Sequence, residues 1–244
     1  MDFRNVLANA KEQLASYAEY SVKNITHICS EYGPRECGSE NEKNAQEYMG
    51  EQLKNYADSV TRETFDAHPK AFMSFVPIAG GMLLASTAAN LTGAFKKNKA
   101  AAASVPLLGA ALASVVGEFG LYKQPLDPLF EKKQSGNVIA VRKASGETKR
   151  RIIISGHTDS APEWTYTYKL GSKGVVTVAG YAVAGLLYDI AATAVSLRSK
   201  NSKLKKGLAL GQLAFVPAFA GLFKFTDQNR HVDGASDDLS GCYI

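Results

Sequence analysis

Two long stretches of this chain are almost free of charged side chains, and they predict apolar helical hairpins. Residues 71–95 carry no charge, KKNK follows, and residues 100–117 are uncharged again. Spanning about 30 Å of hydrocarbon takes roughly 20 apolar residues. This pattern therefore predicts a first pair of apolar helices with a basic tip, inserted at 71–122.

The same arrangement occurs a second time nearer the C-terminus. Residues 174–197 are apolar apart from Asp189, the basic run RSKNSKLKK follows, and residues 207–223 are apolar again. We expect a second hairpin, inserted at 173–225. Gly, Ala and Ser suit close helix contacts in lipid, which favours membrane association; the alternative is a soluble bundle of Ala-rich helices. In a membrane, Asp189 should face the bundle, a cavity or an interface; the alternative is a position close enough to water to need no partner.

The remaining segments are more polar and predict a mixture of helices and strands. Residues 3–32 predict one or two amphipathic helices. Ser39 and Glu42 form a capping-box pattern before a helix over about 40–57. Strands are predicted at 59–65 and 137–143, and RRIIISGHTDS, at 150–160, predicts a buried strand that ends in a polar loop.

The positive charge is local and does not indicate nucleic-acid binding. The net charge is +5, and eight basic residues belong to the two hairpin tips. Subtracting them leaves −3 on the rest of the chain, which is no basic groove. The eight are Lys96, Lys97, Lys99, Arg198, Lys200, Lys203, Lys205 and Lys206. The three cysteines lack disulfide or zinc-finger spacing, and the N-terminus lacks the apolar core of a signal peptide.

Two short segments carry residues suited to metal chemistry. In Gly156-His157-Thr158-Asp159-Ser160, the predicted strand delivers His157 at its C-terminal end, and Asp159 could orient the imidazole. GASDDLSG, at 234–241, places Asp237 and Asp238 in a glycine-flanked turn. A carboxylate there can bridge two metal ions, and imidazole with carboxylate suits zinc. Each motif by itself is common.

In order along the chain, these pieces resemble the aminopeptidase Y and bacterial leucyl aminopeptidase family of di-zinc exopeptidases. The resemblance covers residues 25–54, with GPR, GS, E, A, Y and L in the family's order, then SVTRETF, NVIAVRK, GHTDS and GASDDLSG. It implies an α/β fold, with a mixed central sheet and flanking helices. These segments make up roughly half the chain, and the hairpins are not part of them.

The resemblance also implies roles for individual residues. His157 would be a zinc ligand, Asp159 the catalytic acidic residue behind it, and Asp237 the carboxylate that bridges two zinc ions. The bound metals would activate a water for attack on a peptide substrate. In that family a glutamate acts as general base; it and the remaining ligands come after the bridging aspartate.

Few residues follow Asp237 in this sequence, and they do not include these groups. We therefore expect residues 1–244 to be the N-terminal portion of one peptidase-like domain, inactive by themselves. His27, His68 and His231 are the other histidines, and nothing in the sequence places them at the metal. We expect both insertions to leave one sheet edge and form a four-helix unit over the site.

A membrane-associated zinc peptidase is the reading we favour, and two others remain. One is a non-catalytic peptidase-like protein that serves as a membrane scaffold or binding protein. The other is a multi-span membrane protein with an incidental soluble part. Topology also stays open, because basic tips tend to lie in the cytoplasm, which would place the peptidase part outside without a signal peptide. Either that tendency fails, or the hairpins only dip into the membrane, or they are soluble.

Overall fold

A computed structural model describes residues 3–96 and 98–243. Lys97, in the first basic tip, lies outside the described residues. The chain divides into two units, each built from separate stretches of sequence. Unit 1 contains residues 1–69, 132–162 and 229–244, and unit 2 contains residues 70–131 and 163–228. Helices and strands occur together, as the sequence predicts.

Unit 1 begins with two helices, α1 (Phe3–Glu31) and α2 (Glu40–Leu53). Ser39 caps α2, since its hydroxyl oxygen accepts from the backbone N–H of Glu42 at 3.1 Å. The reciprocal bond differs from a standard capping box: the Glu42 carboxylate accepts from the Gly38 N–H at 2.6 Å, one residue before the cap. Both bonds satisfy amide groups that a helix start leaves unpaired.

Two nine-residue strands, β1 (Ser59–Ala67) and β2 (Lys133–Val141), confirm the strands predicted near these positions. They pair antiparallel over their whole length, from Ser59 opposite Val141 to Ala67 opposite Lys133. A second two-stranded sheet joins β3 (Pro162–Trp164) to β4 (Thr226–His231). The described strands thus form two small antiparallel sheets, where a mixed central sheet was expected.

The buried strand predicted at 150–160 is wrong. The segment has no regular secondary structure up to residue 161, and Ile152, Ile153 and Ile154 are 83%, 84% and 90% exposed. A strand that is apolar on both faces is stable only when neighbours pair with it and cover it. Within the described residues β1 and β2 pair only with each other, so these isoleucines have no sheet to join.

Unit 2 is helical. Its first stretch, residues 70–131, contains two long helices. Its second stretch, residues 163–228, contains the short α5 (Thr165–Leu170) and then two further long helices. Four of its helices are long and apolar enough to span a membrane. They are α3 (Phe75–Lys96), α4 (Lys99–Gly120), α6 (Ser172–Arg198) and α7 (Ser202–Lys224). The ends of α4 wind into 3₁₀ and π turns, and a 3₁₀ turn over Gln212–Phe215 interrupts α7.

Glycines let the helices of unit 2 approach closely. A Cβ at Gly185 of α6 would lie 2.6 Å from the Phe219 ring, and one at Gly80 of α3 would lie 2.8 Å from the Phe219 carbonyl oxygen. Phe219 is 1% exposed and belongs to the apolar core of the unit. Small residues at such contacts are the usual means of close packing in membrane bundles.

Candidate functional site: a histidine between carboxylates

All three site residues that the sequence singled out lie in unit 1, and the structure brings them together. The Nδ1 atom of His157 lies 3.1 Å from Asp159 Oδ1. On the other side of the ring, Nε2 lies 3.3 Å from Asp237 Oδ1. The imidazole thus stands between two carboxylates, one from its own loop and one from the turn near the C-terminus.

The carboxylates around His157 determine its electrostatics. Partial burial lowers the pKa of the imidazole, but Asp159, Asp237 and Asp238 outweigh it, and the pKa is raised above its ordinary value. The side chains of His157 and Asp237 are 53% and 79% exposed. The Nε2 side of the ring and the Asp237 carboxylate are therefore open to solvent and to a ligand.

Asp238 ties the turn to the histidine loop. Its Oδ2 accepts from the backbone N–H of His157 at 3.2 Å, and the Cys242 thiol lies 3.4 Å from the His157 carbonyl oxygen. The peptide bond between Asp237 and Asp238 is cis. Burial raises the pKa of the Cys242 thiol to about 11, so this thiol is protonated at neutral pH.

Gly234 allows the turn to form where it does. Its φ is +64°, a left-handed conformation that glycine adopts at low cost. A Cβ there would lie 2.8 Å from Arg35 Nη2 and 2.9 Å from Ser160 Cβ. Both the backbone conformation and the close approach of the two loops therefore require glycine.

Arg35 is a positioning residue to which the sequence reasoning assigned no role. Its side chain is completely buried. The guanidinium donates to the carbonyl oxygens of Gly33 at 2.7 Å, Thr158 at 2.8 Å and Asp233 at 2.8 Å. One side chain thus joins the loop of His157 to the loop before Asp237. The GPR motif at 33–35 was the available signal.

Backbone bonds of Arg35 reinforce this link. Its carbonyl oxygen accepts from the Ser160 N–H at 2.8 Å, and its own N–H donates to Ser160 Oγ at 2.8 Å. Gln46 of α2 adds a third connection, because its amide donates to the Gly136 carbonyl of β2 at 2.7 Å and to Thr158 Oγ1 at 3.2 Å. The histidine loop is thus held by α2, β2 and the GPR segment despite lacking regular structure.

The other histidines contact different groups. The His27 ring lies 4.5 Å from the Tyr48 ring, centroid to centroid, and His231 Nε2 lies 3.9 Å from Glu36 Oε1. His68 directly follows the last residue of β1. Cys37 lies in the GPRECGS segment, and burial raises the pKa of its thiol to about 11.

Comparisons of the chain with protein-family models, curated proteins and solved structures find no match. What the site can do is therefore argued from its own chemistry. A carboxylate on Nδ1 favours the imidazole tautomer with its proton there, and loss of the other proton makes the Nε2 lone pair available to a metal. Asp237 offers a carboxylate oxygen beside that lone pair, so the two together provide one nitrogen and one oxygen donor.

Proposed function

We propose that this chain carries part of the metal site of a membrane-associated zinc metallopeptidase of the aminopeptidase type. The observation that supports the proposal is the placement of His157 between Asp159 and Asp237. Carboxylate, imidazole and open donor are arranged as in the carboxylate–histidine–zinc units of metalloenzymes. The proposed fold is that of the di-zinc exopeptidases which the sequence motifs resemble.

The donor pair fits zinc. Zinc binds imidazole nitrogen and carboxylate oxygen at about 2.0–2.2 Å with tetrahedral geometry. Two such donors on one ion lie about 3.3–3.5 Å apart, and Nε2 of His157 is 3.3 Å from Asp237 Oδ1. Catalytic zinc has three protein ligands, so this pair would supply two. The further ligands, a second zinc ion and a general-base glutamate belong to the proposal through the resemblance.

Each side chain has a distinct part in this proposal. His157 Nε2 and Asp237 Oδ1 would hold the metal, which when bound supplies Lewis acidity and a water of lowered pKa. Asp159 holds the proton on Nδ1 and orients the ring. Asp238 accepts from the His157 N–H, which fixes the spacing of the two donors. Arg35 holds the loop of His157 and the loop before Asp237 through hydrogen bonds to the carbonyl oxygens of Thr158 and Asp233.

Membrane association is supported by the length and composition of the four helices α3, α4, α6 and α7. Each is at least 22 residues long, which exceeds the roughly 20 that the hydrocarbon layer requires. The protein would thus be anchored in a membrane, and the proposed substrate of its zinc site is a peptide.

Metal titration tests the proposal directly. We expect the chain, in lipid nanodiscs, to bind Zn²⁺ in competition with a chromophoric chelator, and to bind Co²⁺ with visible d–d absorption. His157→Ala and Asp237→Asn should abolish this binding. Asp159→Asn should weaken it about 10–100-fold, because it removes only the orienting bond.

His27→Ala and Asp66→Asn are matched controls away from the pair and should bind as the parent does. Unchanged zinc affinity in His157→Ala would contradict the proposal and favour a non-catalytic binding or scaffold protein. Because the proposed pair supplies two of the three protein ligands of a catalytic zinc, we also expect this chain with zinc to leave leucine p-nitroanilide intact. Zinc-dependent turnover by this chain would refute that expectation.

A further inference from the structure

A group of polar side chains is buried in the apolar interior of unit 2. Asp189 and Thr193 come from α6, Ser86 and Asn90 from α3, and Gln212 from α7. All five are at most 3% exposed. Asp189 thus faces the bundle, as expected of an aspartate in a membrane helix. Ionisable residues inside membrane helices are costly and usually mark ion or substrate sites.

The hydrogen bonds of this cluster leave one side of it unsatisfied. Asp189 Oδ1 accepts from Asn90 Nδ2 at 3.1 Å and also from Gln212 Nε2. Asn90 Nδ2 also donates to Thr193 Oγ1 at 2.8 Å. Four buried oxygens remain without a partner: Ser86 Oγ, Asn90 Oδ1, Asp189 Oδ2 and Gln212 Oε1.

The amide orientations follow from the carboxylate. Turning either amide around would point its carbonyl oxygen at Asp189 Oδ1 and repel it, so the amide nitrogens must face that atom. The amide oxygens of Asn90 and Gln212 are therefore left beside the same carboxylate, together with Oδ2. With the Asp189 carboxylate ionised, the cluster presents three oxygens that can only accept, the Ser86 hydroxyl, and a charge of −1.

No cationic side chain in the described part of the chain forms an ion pair with Asp189. Lys96 lies six residues beyond Asn90 and Arg198 nine beyond Asp189. At 1.5 Å rise per residue these are separations of about 9 and 14 Å along the helices. The cluster is therefore inside the bundle, away from both basic ends.

We propose that this cluster binds one alkali cation, with sodium as the probe. A proton on Oδ2 would neutralise the carboxylate and pair with one amide oxygen, and the Ser86 hydroxyl could donate to the other, so protonation is the competing state that the test must distinguish from cation binding. A single positive ion balances the one charge and coordinates several oxygens at once, which suits hard cations with carboxylate, carbonyl and hydroxyl ligands. A divalent ion would leave excess charge in an apolar interior. This site is independent of the proposed zinc site.

The test is sodium binding to the full chain in lipid nanodiscs, prepared with choline as the only cation. We expect ²²Na⁺ to bind with a stoichiometry near one. The Tm should also rise as NaCl replaces choline chloride at constant ionic strength, because a ligand that binds only the folded state stabilises it. Asp189→Asn should lose both effects, and Asp66→Asn, at an exposed ion pair with Lys132, should retain them.

Ser86→Ala keeps the test decisive if Asp189→Asn does not fold. This variant removes a single unpaired hydroxyl, so the bundle should form, and the sodium Kd should rise about tenfold from the loss of one ligand. His157→Ala should leave sodium binding unchanged. No sodium binding by the folded parent chain would overturn the proposal. A Tm that does not change when sodium replaces choline would also overturn it.

Discussion

Arg35 joins the two loops that carry His157 and Asp237, and its replacement should loosen both. The guanidinium has no exposed surface and donates to three backbone carbonyls at 2.7–2.8 Å. Arg35→Met preserves much of the aliphatic stem but removes every donor. Arg35→Lys keeps the positive charge, yet an ammonium cannot reproduce the planar fork of the guanidinium.

The magnitude follows from the bonds that are lost. A hydrogen bond from a charged donor contributes about 1.5–3 kcal/mol, and a buried acceptor left unpaired costs about 1–3 kcal/mol. The total stays below the sum over three carbonyls, because removing the guanidinium also removes its own desolvation cost. For Arg35→Met we expect a loss of about 3–5 kcal/mol, comparable to breaking a buried charge pair. For Arg35→Lys, which leaves part of the bonding, about 2–3 kcal/mol is expected.

Hydrogen exchange measured by mass spectrometry reports this loss loop by loop. The amide of Ser160 donates to the Arg35 carbonyl at 2.8 Å, and the amide of Val232 donates to the Ala161 carbonyl at 3.1 Å. In Arg35→Met, peptides containing these amides should exchange about 100-fold faster or more, since 1.4 kcal/mol corresponds to a factor of ten. Arg142→Lys, at an exposed position, is the control. Exchange at both loops indistinguishable from the parent would refute the assigned role.

Three further predictions concern packing, thiol chemistry and helix capping. Gly185→Ala should lower the unfolding free energy of the helical unit by about 1–3 kcal/mol through overpacking, while Gly180→Ala, where a Cβ meets nothing within 4 Å, should not. Thermal unfolding in nanodiscs compares the two. Iodoacetamide should alkylate Cys37 and Cys242 at pH 8 about 100-fold more slowly in the folded than in the urea-unfolded chain. Each pKa is raised to about 11, and labelling that is equally fast in both states would contradict this. Ser39→Ala should cost about 1 kcal/mol in urea denaturation, because it removes the cap bond to Glu42; no change would mean that the bond contributes nothing.

The helices were the most predictable part of the fold, since their signals are local. Apolar runs with no charge, or with Asp189 alone, predicted the bounds of α3 and α6 to within a few residues, and Ser39 marked the start of α2. The alternating pattern at 59–65 found β1 for the same reason. Such patterns depend on the residues within one element and need no knowledge of its neighbours.

The segment around Ile153 shows what a local pattern misses. Three consecutive isoleucines are typical of a central strand, but a strand forms only beside a partner. Its apolar composition therefore indicated a sheet that the described residues do not build. The same limit applies to Asp189. The sequence left its place open between the bundle, a cavity, an interface and a position near water, and it could not identify Asn90 and Gln212 as partners.

The sequence predicted the residues that form the candidate site, but not the residue that holds their loops in position. His157 and Asp159 are two residues apart, so their contact is almost local, and the ordered motifs brought Asp237 into the same hypothesis. Arg35 acts through backbone carbonyls on two distant loops. The GPR motif marks the position of Arg35, but backbone carbonyl acceptors leave no trace in a sequence, so its hydrogen-bond partners become visible only in the folded chain.

Zinc held by His157 and Asp237 would be located by X-ray diffraction collected on both sides of the zinc absorption edge, from crystals of the chain grown with zinc. We predict an anomalous peak about 2.0–2.2 Å from His157 Nε2 and from a carboxylate oxygen of Asp237, with Asp159 still on Nδ1. A well-ordered His157 with no zinc beside it, or zinc bound only at the cysteines, would contradict the account.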